Sequence, residues 1–140
     1  MSETERPRRL PSVWAVLAGL LVVIVVTTVT DALMHATGVF PPFGQPMADA
    51  LFLLAAAYRV LYGVAGGYVA ARLAPRGPVR HAVAVGVIGS LLGAVGAAAT
   101  WNSGPAFGPK WYSLAVIAIG VPSAWAGGIL RAWQLRRARG

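Results

Sequence analysis

Long uncharged stretches alternate with short polar or proline-rich segments along the chain. The first runs for eighteen residues without a charge, from Val13 to Thr30, which is long enough for a helix to cross a bilayer. It is longer than the apolar region of a signal peptide, and no clean cleavage site follows it, so we interpret it as an uncleaved helix. Three similar runs follow. We therefore predict four membrane spans, at about residues 13–37, 48–73, 81–100 and 111–133.

Segments that cannot continue a helix separate these runs. Residues 38–47 contain three prolines and two glycines, residues 74–80 form a short basic turn, and residues 101–110 again combine glycine with proline. In lipid the backbone must satisfy its own hydrogen bonds, and no stretch alternates as the strands of a membrane barrel do. The predicted fold is therefore all-α, a single transmembrane domain of four helices that run up, down, up and down.

Composition agrees with a membrane protein. Hydrophobic residues make up 57% of the 140 residues and charged residues 11%, whereas a soluble domain has roughly 25% charged residues. These values exclude a disordered chain and argue strongly against a soluble domain. The chain has no cysteine, which excludes disulfides, thiolate metal sites and a cysteine nucleophile.

The net charge of +8 is distributed in a way that predicts orientation. Ten of the twelve Lys and Arg residues lie in the N-terminal segment, in the turn at residues 72–80 and in the C-terminal tail, against one in the 101–110 loop. The positive-inside rule then places both termini in the cytoplasm. A basic chain can also bind nucleic acid, but basic residues at the ends of apolar runs are typical of those that orient a protein in the membrane. The bilayer is the expected partner, and no nucleic acid is expected.

Two charged residues lie inside the predicted spans, where charges are rare and costly. Asp31 is about 9 Å from the outer end of the first helix and Arg59 about 16 Å from the same side, at 1.5 Å per residue. Because side chains lean toward the N-terminus of their helix, the two converge on neighbouring antiparallel helices. We predict an Asp31–Arg59 ion pair.

Other polar residues extend this pair at helical spacing, as Thr27 and Thr28 do on the first helix. The candidate pocket consists of Asp31, His35, Tyr58, Arg59 and Tyr62. One interpretation is a pocket open to the outside that binds a small anion or relays a proton through His35 and Asp31. The other is a buried pair that fixes helix register. We favour the second, because one pair with aromatic neighbours needs no substrate.

Motifs for catalysis or metal binding are missing from the sequence. His35 and His81 fall on opposite sides of the predicted membrane and cannot share a metal or a haem, and Asp31 with His35 supplies only two ligands. The chain has no nucleophile elbow, H-E-x-x-H, P-loop or paired carboxylates. We therefore expect no catalytic residue, metal or cofactor, and no enzyme activity.

Glycines also recur at helical spacing within the predicted spans. Seven of them are candidate helix-packing positions: Gly63, Gly66, Gly67, Gly86, Gly89, Gly93 and Gly96. The spacing Gly89-x-x-x-Gly93 permits close approach of two helices. It is typical of tight packing within one bundle and also of the seam of a homodimer.

The phrases TDALMHATGVFPPFGQPM, YRVLYGVAGGYVAARLAP and WYSLAVIAIGVPSAWAGG resemble an uncharacterised family of small four-helix bacterial inner-membrane proteins. The resemblance covers about residues 13–130 and implies a bacterial inner membrane as the location. It implies that Asp31, His35, Arg59, Tyr62 and Gly67 belong to the family's recurring pattern, and it supplies no activity, substrate or cofactor.

The sequence as a whole favours a structural or interaction protein of the inner membrane that self-associates. The alternative is a small transporter, channel or ligand-binding subunit that uses the candidate pocket.

Overall fold

The computed structural model describes residues 6–140, with side chains from Arg9 onward, and residues 1–5 of the predicted domain lie outside this range. Four α-helices make up the described chain: α1 Arg6–Ala36, α2 Asp49–Leu73, α3 Pro78–Thr100 and α4 Lys110–Ala138. A 3-10 turn, Pro105–Phe107, precedes α4, and the described residues contain no strand. The all-α prediction is thus confirmed, and all four helices are long and apolar enough to cross a membrane.

Three of the four helices extend beyond the predicted spans at the arginine-rich end, whereas α2 ends at Leu73 as predicted. Helix α1 begins at Arg6, and α4 continues to Ala138, where Arg137 lies over the ring of Trp133 at 4.3 Å. Helix α3 begins at Pro78 because proline at the first helical position has no N–H to lose and a suitable φ. Gly77 before it has φ +61° and turns the chain. Hydropathy marks only the apolar part of each helix, so it underestimates helix length.

Contacts between α1 and α2 show that the two helices run antiparallel. Gly19 of α1 lies against Gly66 of α2, and twelve residues further along α1, Asp31 meets Arg59, which comes earlier in α2. The twelve-residue loop between the helices, residues 37–48, is compatible with this arrangement. It is also the arrangement from which the ion pair was predicted.

Helix α4 packs antiparallel to α3 and parallel to α2. Ser90 Oγ of α3 donates to the carbonyl oxygen of Ile117 in α4 at 2.9 Å, which ties the two helices together. Near the start of α2, the ring of Phe52 lies 4.9 Å from that of Tyr112 near the start of α4. Helix α4 therefore places its own aromatic residues beside the first turns of α2.

Four of the seven candidate glycines lie in tight contacts between helices. A Cβ on Gly66 would come 2.7 Å from the Gly19 carbonyl oxygen, and one on Gly86 would come 2.7 Å from Val121 Cα. Gly63 and Gly67 of α2 are in similarly close contact with α4, at Ser123 and Ala124. At these positions only glycine lets the backbones approach.

The other three glycines do not support close packing within the bundle. A Cβ on Gly89 or Gly96 would meet no atom within 4 Å, and one on Gly93 would make an ordinary contact with Ile117 at 3.6 Å. The reason is rotation about the axis of α3: Gly86 and Gly93, seven residues apart, face α4, whereas Gly89 and Gly96 lie to the side of this face, where Gly89 lines an open cavity. Gly89 and Gly96 thus make no close contact between helices within the described residues, and the homodimer seam stays a prediction.

The outer surface of the bundle is apolar. Large apolar side chains on the outward-facing sides of α2 and α3 are more than half exposed, among them Leu61 at 67% and Val95 at 68%. A soluble monomer rarely exposes such continuous apolar surface. Hydrocarbon is the solvent that this surface fits.

Candidate functional site

The predicted ion pair is present between α1 and α2. Arg59 Nη2 donates to Asp31 Oδ2 at 2.6 Å, and the side chains are 21% and 31% exposed, respectively. Tyr58 Oη donates to the other carboxylate oxygen, Oδ1. Both oxygens of Asp31 therefore accept hydrogen bonds from α2, and the carboxylate is held by two neighbouring residues.

Arg59 is also enclosed by aromatic rings and its own backbone. Its Nη1 donates to the Ala55 carbonyl oxygen at 3.2 Å. Its guanidinium carbon lies 5.3 Å from the ring centre of Tyr58 and 5.7 Å from that of Tyr112. An aromatic face attracts a cation, and more strongly where water is excluded. Through Tyr112, the arginine of α2 is linked to α4 as well as to α1.

The contact between Tyr112 and Arg59 is not among the contacts predicted from the sequence. No signal in the sequence identifies this contact. It depends on α4 lying parallel to α2, and the two helices are separated along the chain by α3.

Tyr62 lies one turn from Tyr58 on α2 and is bonded to α1. Its hydroxyl lies 2.7 Å from Thr30 Oγ1, and Thr30 Oγ1 lies 2.8 Å from the Val26 carbonyl oxygen. Because Thr30 has one hydroxyl hydrogen and gives it to Val26, Tyr62 is the donor to Thr30. Tyr62 therefore forms a second polar contact between the two helices.

His35, the fifth candidate residue, turns toward the loop at residues 38–47. Its Nδ1 lies 2.6 Å from the Pro41 carbonyl oxygen; a carbonyl only accepts, so Nδ1 carries the hydrogen. The imidazole stacks on Phe43 at 3.8 Å and meets Phe40 edge-on at 5.4 Å. It makes no hydrogen bond or ion pair with Asp31. The structure thus brings four of the five candidates together and places His35 beside them as an anchor of the loop.

The loop that His35 holds packs onto the polar cluster. Phe40 is buried, with 3% of its surface exposed, and forms one apolar cluster with Ala55 and Tyr58. The loop therefore covers the ring of Tyr58, whose hydroxyl donates to Asp31. This contact adds tertiary support to the ion pair.

A cavity of about 410 Å³ lies beside the ion pair and is lined by residues of all four helices. Asp31 and Arg59 line it, whereas His35, Tyr58 and Tyr62 do not. Most of the remaining lining is apolar: Leu20, Val23, Ile24, Val85, Leu92 and Ile119. Thr27 also lines it, and its buried Oγ1 has no hydrogen-bond partner within the described chain.

Comparison with known proteins gives no match to a family model, to a curated protein or to a solved structure. The resemblance to small four-helix bacterial membrane proteins therefore stays a prediction. Function has to be inferred from the residues and their geometry.

Proposed function

We propose that the chain is a small four-span protein of the bacterial inner membrane, with both termini in the cytoplasm, and that its role is structural or interactive and not catalytic. The observation that carries this proposal is the saturation of Asp31. Both of its carboxylate oxygens accept hydrogen bonds from α2, and its partner Arg59 is enclosed by Tyr58 and Tyr112. A pair that is satisfied by its own protein has little left to offer a substrate.

Energetics support a structural role for the pair. Leaving one member of a buried ion pair without its partner costs about 3–5 kcal/mol. The pair therefore disfavours any shift of α1 along α2 that separates Asp31 from Arg59. Tyr62 and Thr30 reinforce the same register one turn away.

The distribution of charge supports the orientation. Arginines gather at one end of the bundle, around the α2–α3 turn and the end of α4, while Asp31 and Asp49 lie toward the other. The positive-inside rule places the arginine-rich end in the cytoplasm. A reporter fused to the C-terminus that is active only in the cytoplasm tests this; activity of a periplasmic reporter at that position would contradict it.

Self-association belongs to the same proposal. A Cβ at Gly96 of α3 would meet no atom within 4 Å, and Gly89, two turns earlier, has the same room where it lines the cavity. Small residues on a lipid-facing helix let a second helix approach closely. Native mass spectrometry of the gently released protein tests the subunit number: we expect an oligomer that carries lipid alone, and a bare monomer would count against self-association.

The cavity favours a second candidate function, a transport or ligand-binding subunit. The observation in its favour is a mostly apolar cavity with the Asp31–Arg59 pair in its wall and the unpartnered Thr27 hydroxyl buried beside it. Small-molecule sites have this character, with mostly apolar walls and a few placed polar groups.

A cysteine scan separates the two functions in this cysteine-free chain. Thr27→Cys places a thiol in the cavity, and Val26→Cys, its neighbour, serves as the matched control outside it. A membrane-impermeant, charged thiol reagent should label neither if the bundle is structural. Labelling of Thr27→Cys alone would show a water-accessible pocket and favour transport or ligand binding.

A further inference from the structure

A groove of about 690 Å³ runs between α1 and α3 at the arginine-rich end of the bundle. Three basic side chains line it, at the α2–α3 turn and the first turn of α3: Arg76, Arg80 and His81. Ser12 and Gly77 also lie in the wall, and the remaining residues are apolar: Val13, Val16, Leu17, Leu20, Ala84 and Ile88. The groove therefore has a cationic end and an apolar wall along the rest of its length.

The positive charge of this groove is not neutralised by the described residues. Between residues 6 and 140 the acidic side chains are Asp31 and Asp49; Asp31 pairs with Arg59, and neither forms an ion pair with Arg76 or Arg80. Helix α3 also begins here, at Pro78, so the positive end of its dipole lies at the same place. An anion is the complementary ligand.

His81 adds one more polar group with a defined orientation. Its Nδ1 lies 3.0 Å from the Gly77 carbonyl oxygen and must donate to it, since a carbonyl only accepts. With the hydrogen on Nδ1, Nε2 of the neutral imidazole is an acceptor, which suits a headgroup hydroxyl and leaves the phosphate oxygens to the arginines. The basic groups of the groove are thus two flexible arginines and one imidazole held by the turn.

The apolar length of the groove decides between a free anion and a lipid. Val13 and Leu17 of α1 are exposed, as is Ile88 of α3, so hydrocarbon can lie against both helices. The groove reaches Leu20, which also lines the cavity beside the ion pair. A free phosphate would use the arginines and leave this apolar surface empty.

We propose that the groove between α1 and α3 binds an anionic phospholipid, with the phosphate at Arg76 and Arg80 and one acyl chain along the apolar wall. Basic pockets between membrane helices recognise anionic headgroups through this combination of charge and apolar surface. The proposal depends on the bundle lying in a membrane and is independent of whether its role is structural or transport.

The test measures lipid retention by native mass spectrometry on the full chain. The probes are dioleoyl phosphatidylglycerol and dioleoyl phosphatidylcholine, which share acyl chains and differ in charge. The variant is Arg76→Gln with Arg80→Gln. Its matched control, Arg136→Gln with Arg137→Gln, removes the same charge at the same end of the bundle but outside the groove.

We expect the wild type and the control to retain phosphatidylglycerol over phosphatidylcholine. The groove variant should bind phosphatidylglycerol about thirtyfold more weakly, from the usual contribution of two basic residues near an anionic surface. Equal loss in the groove variant and the control would show that general basicity attracts lipid, and it would overturn the proposal. Unchanged phosphatidylglycerol binding in both variants would also overturn the proposal.

A second variant keeps the test informative if the arginine variant does not fold. Ala84→Trp fills the apolar wall while it leaves Arg76 and Arg80 in place. It should weaken phosphatidylglycerol retention, whereas undiminished retention would overturn the placement of the acyl chain. Displacement of the lipid by millimolar inorganic phosphate would show a free-anion site and would also overturn the proposal.

Discussion

Replacing Asp31 with asparagine tests the structural role of the ion pair most directly. Asparagine keeps the size of the side chain and an acceptor for Tyr58, but it removes the negative charge that faces Arg59. The guanidinium then remains in an apolar bundle with only the Ala55 carbonyl and the aromatic rings of Tyr58 and Tyr112. The perturbation is therefore an unpaired charge and not a cavity.

The expected loss of stability is about 3 kcal/mol, the lower end of the range for breaking a buried ion pair. Two observations favour the lower end of this range for the loss of stability. Arg59 is 21% and Asp31 31% exposed, so the pair is not fully enclosed. The rings of Tyr58 and Tyr112 also compensate in part, since a cation over an aromatic face gains about 0.5–2 kcal/mol.

Equilibrium unfolding in mixed micelles, monitored by circular dichroism, measures the free energy of unfolding. Asp49→Asn is the matched control, because Asp49 is exposed in the first turn of α2, where its carboxylate accepts a hydrogen bond from Trp111 Nε1 at 3.4 Å. That variant should lose less than about 1 kcal/mol, the usual contribution of a charge at a helix end.

A double-mutant cycle measures the coupling between the two residues. Asp31→Leu with Arg59→Met removes both charges, and it should recover most of the loss caused by Asp31→Leu alone, because apolar residues can replace a buried pair at little cost. Additive losses in the double variant would mean that the two residues are not coupled. That result, or an Asp31→Asn variant as stable as Asp49→Asn, would refute the structural role of the pair.

Three further predictions concern single residues. Gly67→Val should destabilise the bundle by about 3 kcal/mol or prevent folding, because its Cβ would strike the backbone of α4. Gly96→Val meets no atom of its own bundle and should cost the monomer less than about 1 kcal/mol in the same unfolding assay. Tyr62→Phe loses one hydrogen bond to Thr30 and should cost about 1 kcal/mol; no measurable change would show that this bond adds nothing to helix register. His35→Ala should raise hydrogen exchange in residues 38–47 while α3 keeps its protection, and unchanged exchange in the loop would contradict the anchoring role of the imidazole.

Much of the fold was accessible from the sequence, because a bilayer restricts what a chain can do. Apolar runs of sufficient length must be helices, and short loops make consecutive helices antiparallel. Asp31 and Arg59 then lie at a common depth on neighbouring helices, so their contact followed from helical rise and the lean of side chains alone.

Helix rotation and the contacts between helices distant in the chain were decided only by the tertiary structure. In a soluble bundle one apolar stripe tells which face is buried, but lipid is as apolar as the core and the stripe disappears. The sequence therefore could not separate Gly86, which packs on α4, from Gly89, which does not. Nor could it bring Tyr112 to Arg59 or turn His35 toward the loop and away from Asp31. Those choices depend on close packing between particular surfaces, which exist only once all four helices are in place.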